Sequence, residues 1–293
     1  MDFSAVGKKI KELRKNIGLS QEELAEGICT QAQISKIEKG IVFPYASTLY
    51  LISQKLGVDV NYFFDIGMTP RLDYVQEVAR QLKVTRRNHQ YEEMMDIVRT
   101  EEENPLFAQN TKNLQLLLWH KGIYIFEVEK DVSKSVSVLE EAINITHSIS
   151  KVYTERELEL LLTIGAIYVK EDLEKALKVF ENINEQIKLI PHLVDHTIKT
   201  RLFYNMARVL TRLNKLLESN KYCQDAIRWC LEKDTLYLLG QLHYQIGYNY
   251  ELLGEKNTAK TYMEKALVVF ELQHDEKFAP LIKNKINELA TQV

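Results

Sequence analysis

The chain is predicted to be all-α, with a small N-terminal helical domain followed by a superhelix of about five degenerate helix-hairpin repeats. Three observations predict this. The 293 residues hold only five prolines and eleven glycines, and both residues are costly in helix interiors and dense in the turns of all-β folds. Two helix-capping sequences, Ser20–Glu23 and Thr30–Gln33, stand ten residues apart. From Leu72 onward there is neither strand alternation nor turn clustering, and one small-residue and apolar pattern recurs.

The first helix has Val6, Ile10, Leu13 and Ile17 at helical spacing as its buried side. Its other side carries Lys8, Lys9, Lys11, Arg14 and Lys15 against a single Glu12. Ser20-Gln-Glu-Glu23 is a capping box, because the hydroxyl takes the N3 amide while the N3 carboxylate reaches back. A helix of about two turns therefore starts at Gln21, with Leu24 and Ala25 inward and Gly27 suited to close it. Thr30-Gln-Ala-Gln33 repeats the capping pattern, and the next helix turns Ile34 and Ile37 inward before Gly40 stops it. Two short capped helices joined by a tight turn make a helix-turn-helix.

The outer face of that second helix, with Gln31, Ala32, Gln33, Ser35 and Lys36, is the informative one. Glutamine pairs in bidentate fashion with adenine and alanine contacts a thymine methyl in the DNA major groove. Arg14, Gln21 and Lys39 complete the expected DNA-binding set. Residues 1–68 carry eight Lys+Arg against eight Asp+Glu, so it is the clustering of cations, and not bulk charge, that points to phosphates. The block from Leu19 to Phe64 resembles the lambda-repressor-like helix-turn-helix family through Gln21, Glu23-Leu24-Ala25, Ile34-Ser35, Ile37-Glu38, Gly40, Pro44, Leu49, Leu56-Gly57-Val58 and Phe63-Phe64. Thr48–Leu56 is a core helix ended by Gly57, Asp59 or Asn61 caps a last short helix, and Pro70 is placed to open the next. The domains expected are 1–68 for DNA binding and 69–293 for the repeats.

Ala79, Gly122, Gly165, Ala207 and Gly247 mark five copies of the repeat, 40 to 43 residues apart. The order of small residue, aromatic, turn, Ala, large apolar and Ala resembles the tetratricopeptide repeat, stretched beyond its usual period of about 34 residues. The small residue lets the first helix of a hairpin approach the second, and Phe278 to Leu289 reads as a terminal capping helix. Two residues before each small residue stand Glu77, His120, Thr163, Asn205 and Gln245. With Trp119, Arg201, Tyr204, Arg208, Gln241, Tyr244 and Tyr248 on the same helices, they suit an extended peptide: amides for its backbone, aromatics for its side chains, cations for its carboxylates.

The order of modules, together with Ile28-Cys-Thr-Gln31, Ile34-Ser-Lys-Ile-Glu38, Arg201-Leu-Phe-Tyr-Asn205 and Gly240-Gln-Leu-His-Tyr-Gln245, resembles the peptide-pheromone regulators of Gram-positive bacteria, of the PlcR type. The resemblance implies a quorum-sensing transcription regulator whose repeat groove takes a short signalling peptide that modulates operator binding. It further implies that Asn205 and Gln241 bond the peptide backbone and that Arg87 and His89 stand where the family has lysines. Leu162 and Thr163 replace a peptide-holding asparagine and Phe64 replaces a tyrosine, so the peptide should differ. A homodimer on an inverted-repeat operator in double-stranded DNA is expected, since one helix-turn-helix reads only a half-site. The rival reading is a tetratricopeptide interaction protein gated by a partner protein.

Other chemistry is weak. No phosphate loop, catalytic triad or paired-carboxylate site stands out, so no enzyme activity and no cofactor are expected. His192 and His196 stand four apart but lack a third metal ligand. Cys29, Cys223 and Cys230 fit no metal spacing and leave an odd thiol, which favours a reducing compartment. The N-terminus lacks a signal-peptide order and no run is long enough for a membrane span, so a cytoplasmic protein with no membrane partner is expected.

Overall fold

In the computed structural model, which describes residues 2–147 and 152–291, the described residues form helices and turns and no strand. Contacts divide the chain into two compact units, Met1–Leu117 and Leu118–Val293.

The first unit opens with α1 (Phe3–Asn16), α2 (Gln21–Ala25), α3 (Gln31–Glu38), α4 (Ala46–Leu56) and α5 (Val60–Met68). The caps are where the sequence places them. Ser20 Oγ accepts from the Glu23 amide at 3.1 Å while Glu23 Oε2 accepts from the Ser20 amide at 2.6 Å, a complete capping box. Thr30 makes only the forward half, to the Gln33 amide at 3.2 Å. Gly57 ends α4 at φ +70° and Asp59, rather than Asn61, caps α5. Val6, Ile10, Leu24, Ile34, Ile37, Leu49, Ile52 and Phe63 form the core. Ile17, expected inside, follows the last turn of α1 and is 52% exposed.

Pro70 does not open a helix. The next one, α6 (Leu72–Arg87), begins two residues later after Arg71, whose φ of +50° turns the chain. It pairs with α7 (Tyr91–Glu102) as the first hairpin; α8 (Pro105–Ala108), a single turn, follows. The first unit thus holds both the five-helix block and the first repeat.

Four more pairs follow α8: α9 (Thr111–Tyr124) with α10 (Val132–Asn144), α11 (Glu155–Glu171) with α12 (Leu173–Lys188), α13 (Thr197–Arg212) with α14 (Leu216–Glu232), and α15 (Leu239–Leu252) with α16 (Lys256–Leu272). A π-helical turn, Ile125–Glu129, extends α9. The repeat pattern has the packing cause expected of it. A Cβ on Gly165 would meet the Phe180 ring at 2.3 Å, and one on Gly122 would meet Leu139 at 2.7 Å. The facing positions Ala142, Ala176, Phe180, Cys223, Ala226, Ala259, Met263 and Ala266 are fully buried. α17 (Phe278–Thr291) closes the stack by laying Ile282 and Leu289 against Met263 and Phe270. Its lysines face outward acids, with Lys283 2.7 Å from Glu271 and Lys285 2.7 Å from Glu251. No helix among the described residues is long and apolar enough to cross a membrane.

Candidate functional site

In the first unit, α3 presents Gln31, Ala32, Lys36 and Lys39 exposed, with Gln33 and Ser35 half-buried. Because Gln33 makes no return bond to Thr30, its side-chain amide has no partner among the described residues. Beneath this face runs a polar line that no sequence pattern announced. Glu38 is buried in the core, and its carboxylate takes Arg14 Nε at 2.5 Å, Arg14 Nη2 at 3.0 Å and Gln21 Nε2 at 2.8 Å. Gln21 Oε1 in turn accepts from Gln31 Nε2 at 2.7 Å. The last member of the line is therefore the first residue of α3.

This corrects the expectation for Arg14. It is buried, bonded in fork geometry to Glu38 and, through Nη1, to the Leu19 carbonyl at 2.6 Å, so its charge belongs to the core and is not offered to a phosphate. Burial alone would raise the Glu38 carboxyl, but the hydrogen bonds from Arg14 and then Gln21 outweigh it and hold the group below the ordinary carboxylate range. Gln21 is half-buried and acts by placing Gln31.

In the second unit, the first helices of the hairpins line a recess of about 240 Å³ bounded by Ile123, Phe126, Glu127, Thr163, Ile167, Asn205 and Arg208, among others. That is below the roughly 300 Å³ at which small-molecule pockets begin and suits one or two side chains. Ile123, Phe126 and Ile167 supply apolar wall, while Lys170 stands 4.4 Å from the Phe126 ring centroid and 3.7 Å from Glu127. Asn205 borders the recess and has no partner among the described residues. Arg208 is exposed beside it, its guanidinium 5.6 Å from the Tyr204 ring centroid. Burial pushes the Tyr204 phenol above its usual range. Further along, the Gln241 Oε1 is buried without a partner and Tyr244 stacks on Tyr248 at 6.3 Å.

Other expected groove residues are committed elsewhere. Gln245 is buried, and its Nε2 donates to Thr211 Oγ1 at 2.8 Å and Asn249 Oδ1 at 3.3 Å, inside a polar network between α13, α14 and α15. Trp119 is buried and donates Nε1–H to Thr163 Oγ1 at 2.9 Å, and the Thr163 hydroxyl donates to the Glu159 carbonyl, also at 2.9 Å. Neither is an open aromatic or hydroxyl, although Thr163 still borders the recess. Arg201 is half-buried and lies 2.5 Å from Glu159 Oε1. Phe64, on α5, and Arg87, the last residue of α6, are exposed in the first unit; His89 turns the chain at φ +58° and bonds the Tyr91 hydroxyl at 2.8 Å.

Arg208 was expected on this recess, but its apolar wall of Ile123, Phe126 and Ile167 was not. Ile123, Ala166 and Arg208 each follow the small residue of their repeat by one position. They stand one helical turn from the position two before it, on the same face. That register was present in the sequence.

His192 and His196 gain no companion: among the described residues no cluster of three or more metal-ligating side chains occurs. Cys223 and Cys230 are fully buried, and desolvation raises both thiols.

The profile of the RNPP family C-terminal domain matches residues 79–289, and a helix-turn-helix profile matches residues 10–63. An uncharacterized HTH-type transcriptional regulator of Sinorhizobium medicae is 46% identical over 61 residues, 20% of this chain and 44% of the relative. One from Rickettsia conorii is 43% identical over 63 residues, 21% of this chain and 50% of the relative. The chain therefore spans half or less of the length of these curated relatives. Among solved structures, Bacillus thuringiensis PlcR in complex with the peptide PapR7 and DNA superposes with a TM-score of 0.85 at 24% identity, over 95% of this chain and 99% of that one. ComR from S. thermophilus in complex with DNA and its signalling peptide ComS superposes at 0.62 with 19% identity, over 97% and 99%. These two likenesses establish a shared fold.

Proposed function

Because the chain belongs to the RNPP family, we propose that it is a transcriptional regulator whose N-terminal residues 1–68 read double-stranded DNA and whose repeats, 69–293, bind a short signalling peptide that changes that reading. The observation that carries this is the pairing, in one chain, of two open polar faces. On α3, Gln31 and Gln33 offer amides to base edges while Lys36 and Lys39 offer charge to phosphates. On α13, Asn205 has amide groups without a partner beside an apolar recess and an exposed Arg208, which fits a peptide backbone, an apolar side chain and a carboxylate respectively. The peptide-bound and DNA-bound states named for PlcR and ComR support extending both partners to this chain.

The protein acts as a cytoplasmic homodimer on an inverted-repeat operator, since two half-sites one helical turn apart give the affinity that one cannot. Its work is recognition, with no catalytic step. A partner protein filling the groove in place of the peptide is less favoured, because a DNA reader in the same chain needs a small switchable ligand more than a docking partner.

Calorimetry with synthetic peptides encoded in short reading frames beside the gene tests the peptide half. Micromolar binding that shifts operator affinity is the expected result, and no binding by any of them would refute it. Light scattering showing only monomer at micromolar concentration, with and without operator DNA, would remove the dimer.

A further inference from the structure

A second recess, of about 820 Å³, lies between α12, α14 and the start of α13 and shares no residue with the one that holds Asn205. It has the size of an ordinary small-molecule site, more than three times that of the other. Its charge is unbalanced. Lys199 and Lys233 are both held against Trp229, with ammonium groups 4.1 Å and 4.8 Å from the ring centroid. Lys221 joins them on the lining. A fourth lysine on the lining, Lys188, is engaged by Glu185 at 2.7 Å, and of the two carboxylates there Asp225 is engaged by Arg228 at 2.7 Å, which leaves Glu218 alone opposite Lys199, Lys221 and Lys233.

Two like charges fixed around one indole repel each other, and an indole face attracts a partly exposed ammonium only weakly. An anion between them relieves that repulsion. A lysine ammonium is a compact point charge suited to phosphate oxygens. The remainder of the recess is not a simple anion hole, however. Ile187, Ile190 and Leu193 line it, and Phe203 and Tyr222 meet edge to face at 5.5 Å on its wall. The Trp229 indole is fixed by donating Nε1–H to the His196 carbonyl at 3.0 Å, and the His196 ring stands perpendicular to it at 5.7 Å. His196 Nδ1 is buried on that lining without a hydrogen-bond partner, an acceptor or donor left for a ligand.

We propose that this recess is an effector site for a phosphate monoester with a flat or apolar body, of mononucleotide size, separate from the peptide groove. The phosphate lies among Lys199, Lys221 and Lys233, and the body lies along the aromatic and aliphatic wall. The site is independent of the peptide reading, and α13 serves both recesses from opposite sides: Lys199 and Phe203 line one, Asn205 and Arg208 the other.

The test is calorimetry on the full chain with three probes: AMP, adenosine and inorganic phosphate. AMP should bind, and adenosine and phosphate should each be at least about tenfold weaker, because each keeps only half of what the site recognises. The Lys199→Ala/Lys233→Ala double variant should lose at least about tenfold for AMP with an unchanged circular dichroism spectrum. Lys221→Glu, an exposed position, should do the same and serves if the double variant does not fold. Lys36→Ala/Lys39→Ala should leave AMP affinity unchanged, which separates this site from the DNA-reading face. The proposal is overturned by no AMP binding at millimolar concentration, by phosphate binding as tightly as AMP, or by AMP affinity that survives Lys199→Ala/Lys233→Ala and Lys221→Glu.

Discussion

Each unit has a buried polar cluster, and the two end differently. In the first unit, Arg14, Glu38 and Gln21 run from the core outward and finish at Gln31, on an exposed face. In the second, Asn249 sits at the centre of a ring. Its Nδ2 donates to Ser219 Oγ at 2.8 Å and Asn220 Oδ1 at 2.7 Å, while its Oδ1 accepts from Thr211 Oγ1 at 2.7 Å and from Gln245. The first cluster is ionic and open at one end; the second is neutral and closes on side chains of three helices. A line that ends at the surface fixes the direction of an exposed side chain, here Gln31. A ring that closes holds two hairpins in register and occupies the Gln245 side chain, whereas Asn205, one repeat earlier, lies outside the ring beside the recess.

The largest expected effect breaks the ionic cluster. Glu38→Ala leaves the Arg14 charge buried without its partner and should cost about 3–5 kcal/mol in denaturant unfolding; a loss under 1 kcal/mol would mean that water reaches Arg14. Acid should act the same way. The Glu38 carboxyl is held below its ordinary value in the folded chain, so its contribution is complete above the unfolded pKa of about 4.3 and is lost as pH falls from there through the folded value. Urea midpoints measured from pH 6 to pH 3 should drop more steeply for the wild type than for Glu38→Gln.

Opening the neutral ring should cost less. Asn249→Ala strands the Thr211 and Gln245 groups and is expected to destabilise by about 1–3 kcal/mol, with thermal unfolding as the measure. A larger loss than that of Glu38→Ala would reverse the ranking of ionic over neutral clusters.

The open end of the first cluster predicts a change in reading. Gln31→Ala should cost about 1–3 kcal/mol at one base step in a binding-site selection, and Gln21→Ala should relax the same step, since Gln21 holds Gln31 in place. If Gln21→Ala leaves every base preference intact, the line supports only stability. Lys39→Ala should weaken all sequences alike and reduce the salt slope.

The smallest effect sharpens the contrast between Asn205 and Gln245. Asn205→Ala should weaken peptide binding about tenfold, close to 1.4 kcal/mol, with no change in unfolding midpoint. Gln245→Ala should do the opposite. Equal behaviour in the two variants would erase the distinction between groove and ring.

Much of the molecule was legible in the chain because it is local. Ser20, Thr30 and Asp59 cap the helices they precede, Gly57 ends α4, and five small residues at a steady interval mark five hairpins. Each depends on backbone groups within four residues or on the 3.6-residue period, so it is legible in sequence, down to a choice such as Asp59 over Asn61 that the folded chain makes. The fate of individual polar side chains does not work that way. Arg14 meets Glu38 across 24 positions, Gln245 meets Thr211 across 34, and Trp119 meets Thr163 across 44. Whether such a group faces a ligand or a neighbour depends on the rotation and tilt of helices far apart in the chain. One face of a helix carries groove and inter-hairpin positions side by side, separated by a fraction of a turn. Local pattern thus determined a helix-turn-helix joined to a helical repeat array, and tertiary packing alone decided which of its polar side chains are consumed inside and which stay exposed.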